Sequence, residues 1–206
     1  MIIAETRCYT ASVEAIRGAG RIAGLKFPML LSVAIGALPF YPLRSTLDVA
    51  QRAGADGVEL LLTRQLLKRS AEEIQHDIGE TGTRAISAHA FWSLRPTGIR
   101  QKIDRDVASV RLAGALPGCE SIVLHPPITG PRISADLGRW LDAIAEERDR
   151  VRPALKLALE NRVENFDGTA PQWLDDLTRL RALAGEWGMH ICLDIAHAAS
   201  FEFDVR

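Results

Sequence analysis

Short apolar runs recur along this chain, and four of them stop at an imidazole or a carboxylate. They are Arg84-Ala-Ile-Ser-Ala-His89, Ser121-Ile-Val-Leu-His125, Leu155-Lys-Leu-Ala-Leu-Glu160 and His190-Ile-Cys-Leu-Asp194, with His197 one D-x-x-H step beyond Asp194. Each run has the length of a strand and is apolar nearly throughout, as parallel strands covered on both faces must be. Polar groups repeated at one end of successive parallel strands converge on one mouth, which is how the catalytic face of a (β/α) barrel is built.

Helix signals separate the runs. Ser45-Thr46 predicts a helix cap, with the helix running through Arg52, before the strand Val58-Glu-Leu-Leu-Leu62. Ser70 and Glu73 form an S-x-x-E capping box for a helix that ends by Gly82. Ile103, Val107, Val110 and Leu112 give a helical stripe within residues 99–116, which Pro117-Gly118 stops. Ser134 caps a helix that buries Leu137, Trp140, Leu141 and Ile144. Pro171 suits the first turn of another, which carries Trp173, Leu174, Leu177, Leu180 and Leu183.

The alternation allows a doubly wound sheet or a barrel. No glycine-rich phosphate loop follows the first strand, Leu30 to Leu38, which argues against a dinucleotide fold. Polar residues at nearly every strand end, rather than at one switch point, favour the barrel. The fold class expected is therefore α/β, a (β/α) TIM-type barrel with about six of the usual eight strand–helix units. That implies a fragment, a truncated product, or a short barrel whose open sheet edges a second copy covers.

Composition narrows the field further. Among 206 residues, 47% are hydrophobic, 25% are charged and the net charge is −1, an ordinary globular balance with no electrostatic footprint for nucleic acid or an anionic membrane. Nucleic acid stays the lesser expectation, since a local basic patch can hide in a neutral total. No run reaches the roughly 20 apolar residues of a membrane span. Cys8, Cys119 and Cys192 form no CxxC pair, so a disulfide scaffold is not expected and a cytoplasmic setting fits. Cys192 reads as a small core residue. Residues 1–29 read as a loosely ordered N-terminal extension, with Arg7, Arg17, Arg21 and Lys26 and no clean signal sequence.

A lone histidine at a strand end is usually a packing residue. His89, His125, Glu160, Asp194 and His197 at the same end of successive strands point instead to a divalent metal site (Mn, Zn, Co or Mg), with the imidazoles favouring Zn²⁺ or Mn²⁺. Glu160 could also move a proton. Glu59 lies inside a strand, where a buried acid needs a partner or a role. Trp92, just after His89, could wall a pocket. Arg162 and Glu164 stand in the loop after Glu160, while His76 reads as solvated and His190 as structural at the opposite face.

The runs GADGVEL, ISAHA, IVLHPP, LALENR and ICLDIAHA, over residues 30–200, resemble the xylose-isomerase-like TIM-barrel superfamily. Residues 30–206 then form a partial barrel of this kind. The resemblance implies a sugar or sugar-phosphate isomerase or epimerase working through an enediolate. Glu160, Asp194 and His125 would bind metal, Glu160 and Glu59 would be catalytic, and His197, His89 and Trp92 would contact substrate. The superfamily also contains apurinic/apyrimidinic endonucleases, in which His89, His125, Glu160, Asp194 and His197 each match a zinc ligand. Further ligands of both branches have no counterpart here, so an inactive remnant is the third expectation.

Overall fold

The computed structural model describes residues 30–36, 41–91, 98–127, 135–161 and 177–194. Six strands form one parallel sheet: β1 Ser32–Gly36, β2 Gly57–Leu61, β3 Ala85–His89, β4 Ser121–Leu124, β5 Lys156–Glu160 and β6 His190–Cys192. Five helices are described: α1 Leu43–Arg52, α2 Ala71–Thr81, α3 Ile99–Ala115, α4 Ala135–Val151 and α5 Leu177–Glu186. A single 3₁₀ turn, Leu66–Lys68, lies in the connection after β2.

The strand order is β1-β2-β3-β4-β5-β6, each pair parallel. A doubly wound sheet reverses direction at a switch point; a barrel wall advances in one direction, as this one does. These are six consecutive units of a TIM-type (β/α) barrel wall. Among the described residues, β1 pairs only with β2 and β6 only with β5.

Register and burial separate the two faces of the sheet. Ile35, Leu60, Ala88, Ile122 and Leu157 lie side by side across five strands, and all are buried beneath the helices. One residue earlier on each strand, Ala34, Glu59, Ser87, Ser121 and Lys156 form the matching row on the other face. That inner face carries the polar groups. Gly57 is required at the start of β2, because a Cβ there would sit 2.5 Å from the Ile86 side chain and 2.8 Å from the Arg84 carbonyl.

The helices form for the reasons their sequences give, with one shift. Ser70 accepts from the Glu73 N–H and Glu73 from the Ser70 N–H, so the capping box opens α2. Gly82 ends α2 in the left-handed conformation, φ 67°. Leu137, Trp140, Leu141 and Ile144 are fully buried along α4. The shift is in α1, which begins at Leu43 after Pro42 rather than at Ser45-Thr46. Thr46 lies inside the first turn and donates its hydroxyl to the Leu43 carbonyl at 2.7 Å, so it does not cap.

Helix α3 buries Val110 and Leu112, with Ile103 and Val107 half-buried against the core. It also buries Asp106, whose Oδ2 accepts from Trp140 Nε1 and Lys102 Nζ, both at 2.6 Å. The Arg152 guanidinium donates to the Ala113, Leu116 and Cys119 carbonyls and so closes the C-terminal end of α3. The extension 1–29 and residues Ser134, Pro171, Trp173 and Leu174 lie outside the described residues.

Candidate metal centre

β3, β4 and β5 are adjacent, and their C-terminal ends bring His89, His125 and Glu160 together. His89 is the last residue of β3, His125 follows β4, and Glu160 closes β5. Their ligand atoms all lie within 4.8 Å of one another. His89 Nε2 stands 3.4 Å from Glu160 Oε2, and His125 Nε2 contacts the same oxygen. The two rings meet edge to face, centroids 4.8 Å apart and planes at 88°. Glu160 is buried and the imidazoles are half-buried.

The electrostatics keep this carboxylate charged. Burial pushes Glu160 up, but hydrogen bonds from His125 and His89 and their charges outweigh burial and hold it at about 2. For His89, burial pushes the pKa down. The Glu160 hydrogen bond and charge, the Ala90 carbonyl and the Glu59 charge push it up, and the net shift is upward. His89 Nδ1 lies 3.2 Å from the Ala90 carbonyl oxygen. With a cation in place of the Nε2 proton, this contact would keep the proton on Nδ1 and leave the Nε2 lone pair to the ion. Two imidazole nitrogens and an ionised carboxylate oxygen, converging within reach of one another, are a donor set suited to a divalent cation.

The other candidates fall around this cluster. Glu59 is half-buried on the inner face and accepts the Ser87 hydroxyl at 2.9 Å. Asp194 lies two residues past β6 and outside the 4.8 Å group. Its main chain is held by Asn161, whose Oδ1 accepts from the Asp194 N–H at 2.6 Å and whose Nδ2 donates to the Asp194 carbonyl at 2.9 Å. Trp92, Arg162, Glu164 and His197 lie outside the described residues. His76 is exposed on α2, and His190 is exposed at the start of β6, opposite Ala158. Cys192, expected as a core residue, is half-buried on the inner face opposite Glu160, because β6 is an outermost described strand.

Sequence reasoning overlooked Ser87 and Asn161. Ser87 sits in the quoted run ISAHA, two residues before His89 and on the same strand face. Asn161 follows Glu160 directly and is as buried as the core, at 1% exposed, although a buried amide must find partners.

Solved structures share this wall. The 3-keto-D-glucoside 4-epimerase YcjR of E. coli superposes with a TM-score of 0.60 at 18% identity, covering 86% of this chain and 73% of its own. Endonuclease IV of Thermus thermophilus gives 0.58 at 16% identity, with 84% and 65% covered. A sugar phosphate isomerase/epimerase of Parabacteroides distasonis gives 0.54 at 14% identity, with 86% and 70% covered. The chain therefore shares the (β/α) barrel fold of these proteins and spans about two thirds to three quarters of their lengths. No protein-family profile matches the sequence. No curated protein matches it either. Among the described residues, no helix is long and apolar enough to cross a membrane.

Proposed function

We propose that this chain is a metal-dependent isomerase or epimerase acting on a sugar or sugar phosphate. The observation that carries the reading is the meeting of His89, His125 and Glu160 at the C-terminal mouth of a barrel wall. His125, His89 and Glu160 would hold the ion, with Asp194 supplying a further oxygen from the next strand end. The sequence assigned His89 to substrate; its Nε2, 3.4 Å from Glu160, makes it a ligand candidate as well. A bound divalent ion would polarise the hydroxyl and carbonyl oxygens of a hydroxy-ketone and so acidify the C–H of the hydroxyl-bearing carbon next to the carbonyl.

The protein side chains divide the remaining work. A carboxylate held at about 2 is a weak base at neutral pH, so Glu160 serves as the anionic ligand. Glu59 lies on the same inner face, and its charge acts on His89. It takes the proton from the hydroxyl-bearing carbon and delivers it to the neighbouring carbonyl carbon, passing the substrate through an enediolate. Ser87 holds the Glu59 carboxylate in place by its hydroxyl at 2.9 Å. His197 and Trp92 would contact substrate from the following loops. Endonuclease IV shares the fold, so cleavage at an abasic site is the second reading; the net charge of −1 supplies little of the positive surface that DNA binding needs.

Purified protein incubated with Mn²⁺, Co²⁺ or Zn²⁺ and a panel of ketoses and ketose phosphates tests the proposal in deuterated water. Deuterium incorporated at the carbon next to the carbonyl supports proton transfer. Cleavage of an abasic duplex with no exchange into any sugar would replace it with the phosphodiesterase reading. Absence of both would leave an inactive remnant of the barrel.

A further inference from the structure

We infer that Asn161 is the positioning residue of this metal centre, clamping the Asp194 main chain so that its carboxylate is delivered beside His89, His125 and Glu160. This rests on the metal reading above. The β5–β6 ladder ends where Glu160 pairs with Cys192. One further main-chain bond follows, from the Asn161 N–H to the Cys192 carbonyl at 3.4 Å. Beyond it the side chain of Asn161 replaces the ladder. Its Oδ1 accepts the Asp194 N–H and its Nδ2 donates to the Asp194 carbonyl, so one amide pairs with both main-chain groups of one residue.

That pairing requires a donor and an acceptor side by side, which among side chains only a primary amide supplies. Aspartate would offer acceptors alone and would face the Asp194 carbonyl with another oxygen. Asn161 is 1% exposed, so a lost partner leaves a buried polar group unsatisfied and the clamp is held tightly. Cys192 lies opposite Glu160 on the inner face, and Asp194 is the second residue beyond it, just past the end of β6.

The test is Co²⁺ affinity of the full chain, read from visible absorption, with hydrogen exchange at the Asp194 amide alongside. Asn161→Leu keeps the volume and removes both hydrogen bonds; Asn161→Ala serves if the leucine variant does not fold. Loss of Asp194 amide protection with about 10–100-fold weaker Co²⁺ binding is expected. Asp194→Ala should weaken binding as much, and the double variant no further, because both changes remove the same ligand. A merely structural Asn161 would lower Tm and leave the affinity of the folded protein unchanged. Unchanged affinity in the single variant, or additive losses in the double variant, overturns the inference alone. A wild-type chain that binds no Co²⁺ overturns the metal reading and takes this inference with it.

Discussion

Glu160 takes its character from two imidazoles. Burial pushes its pKa up; His125 and His89 outweigh burial and hold it at about 2. A base of that strength suits a ligand, and in the proposed reaction Glu59 moves the protons. Glu59→Gln should therefore lower turnover by about 10²–10⁴-fold while leaving metal affinity unchanged, as kcat and Co²⁺ titration will report. Cys192 gives an independent check on the same electrostatics. Burial and then the charges of Glu160, Glu59 and Asp194 push its thiol up to about 12. It should resist alkylation at pH 7, and peptide mass spectrometry after brief iodoacetamide treatment will show whether it does. The histidines and Glu160 were legible in the sequence because each ends an apolar run. Ser87 and Asn161 were not, because their partners, Glu59 and Asp194, lie 28 and 33 residues away. Only strand register brings such pairs together.

At the level of elements, local chemistry was readable where both halves of a device are close in sequence. Ser70 and Glu73 are three residues apart, and the capping box forms as expected. Ser70→Ala should cost about 1 kcal/mol and lower Tm by about 2–4 °C, measured by thermal unfolding. The start of α1 was misread because Ser45 and Thr46 are both good caps by type, yet the chain turns at Pro42 and Thr46 bonds backward. The stripe on α3 named its apolar residues and missed Asp106, whose burial depends on Trp140, another helix's side chain. The α3–α4 contact also holds buried Glu147, which accepts from Arg111 at 2.7 Å and from Arg150. Burial pushes the Glu147 carboxyl up, and its hydrogen bonds and charges with the two arginines pull it below the usual 4.5. Its stabilising contribution is therefore full above 4.5 and is lost as pH falls through the lower native value. Glu147→Gln should destabilise the protein by about 1 kcal/mol at pH 7. The gap should close as denaturant titrations are repeated below pH 4.5.

For the whole molecule, the single direction of strand order separates a barrel wall from a doubly wound sheet, and the sequence reached the same answer from where its polar residues fall. The sheet is best covered at its centre. Ile122, Leu124, Leu157 and Leu159 of β4 and β5 are almost wholly buried, whereas Ile191 in β6 is 38% exposed and Leu193 just beyond it 47%. Hydrogen exchange should be slowest in β4 and β5 and fastest in β6. If a second copy covers β6, protection there will rise with protein concentration, and sedimentation will show a dimer. The distinctive property of this wall is that three adjacent strands end on one potential cation site. Titrating the wild-type chain and its His89→Ala, His125→Ala and Glu160→Gln variants with Zn²⁺ by calorimetry tests that property directly. One high-affinity ion per chain, lost or severely weakened in each variant, is expected; a wild-type chain that takes up no ion, or variants that bind as the wild type does, would contradict it.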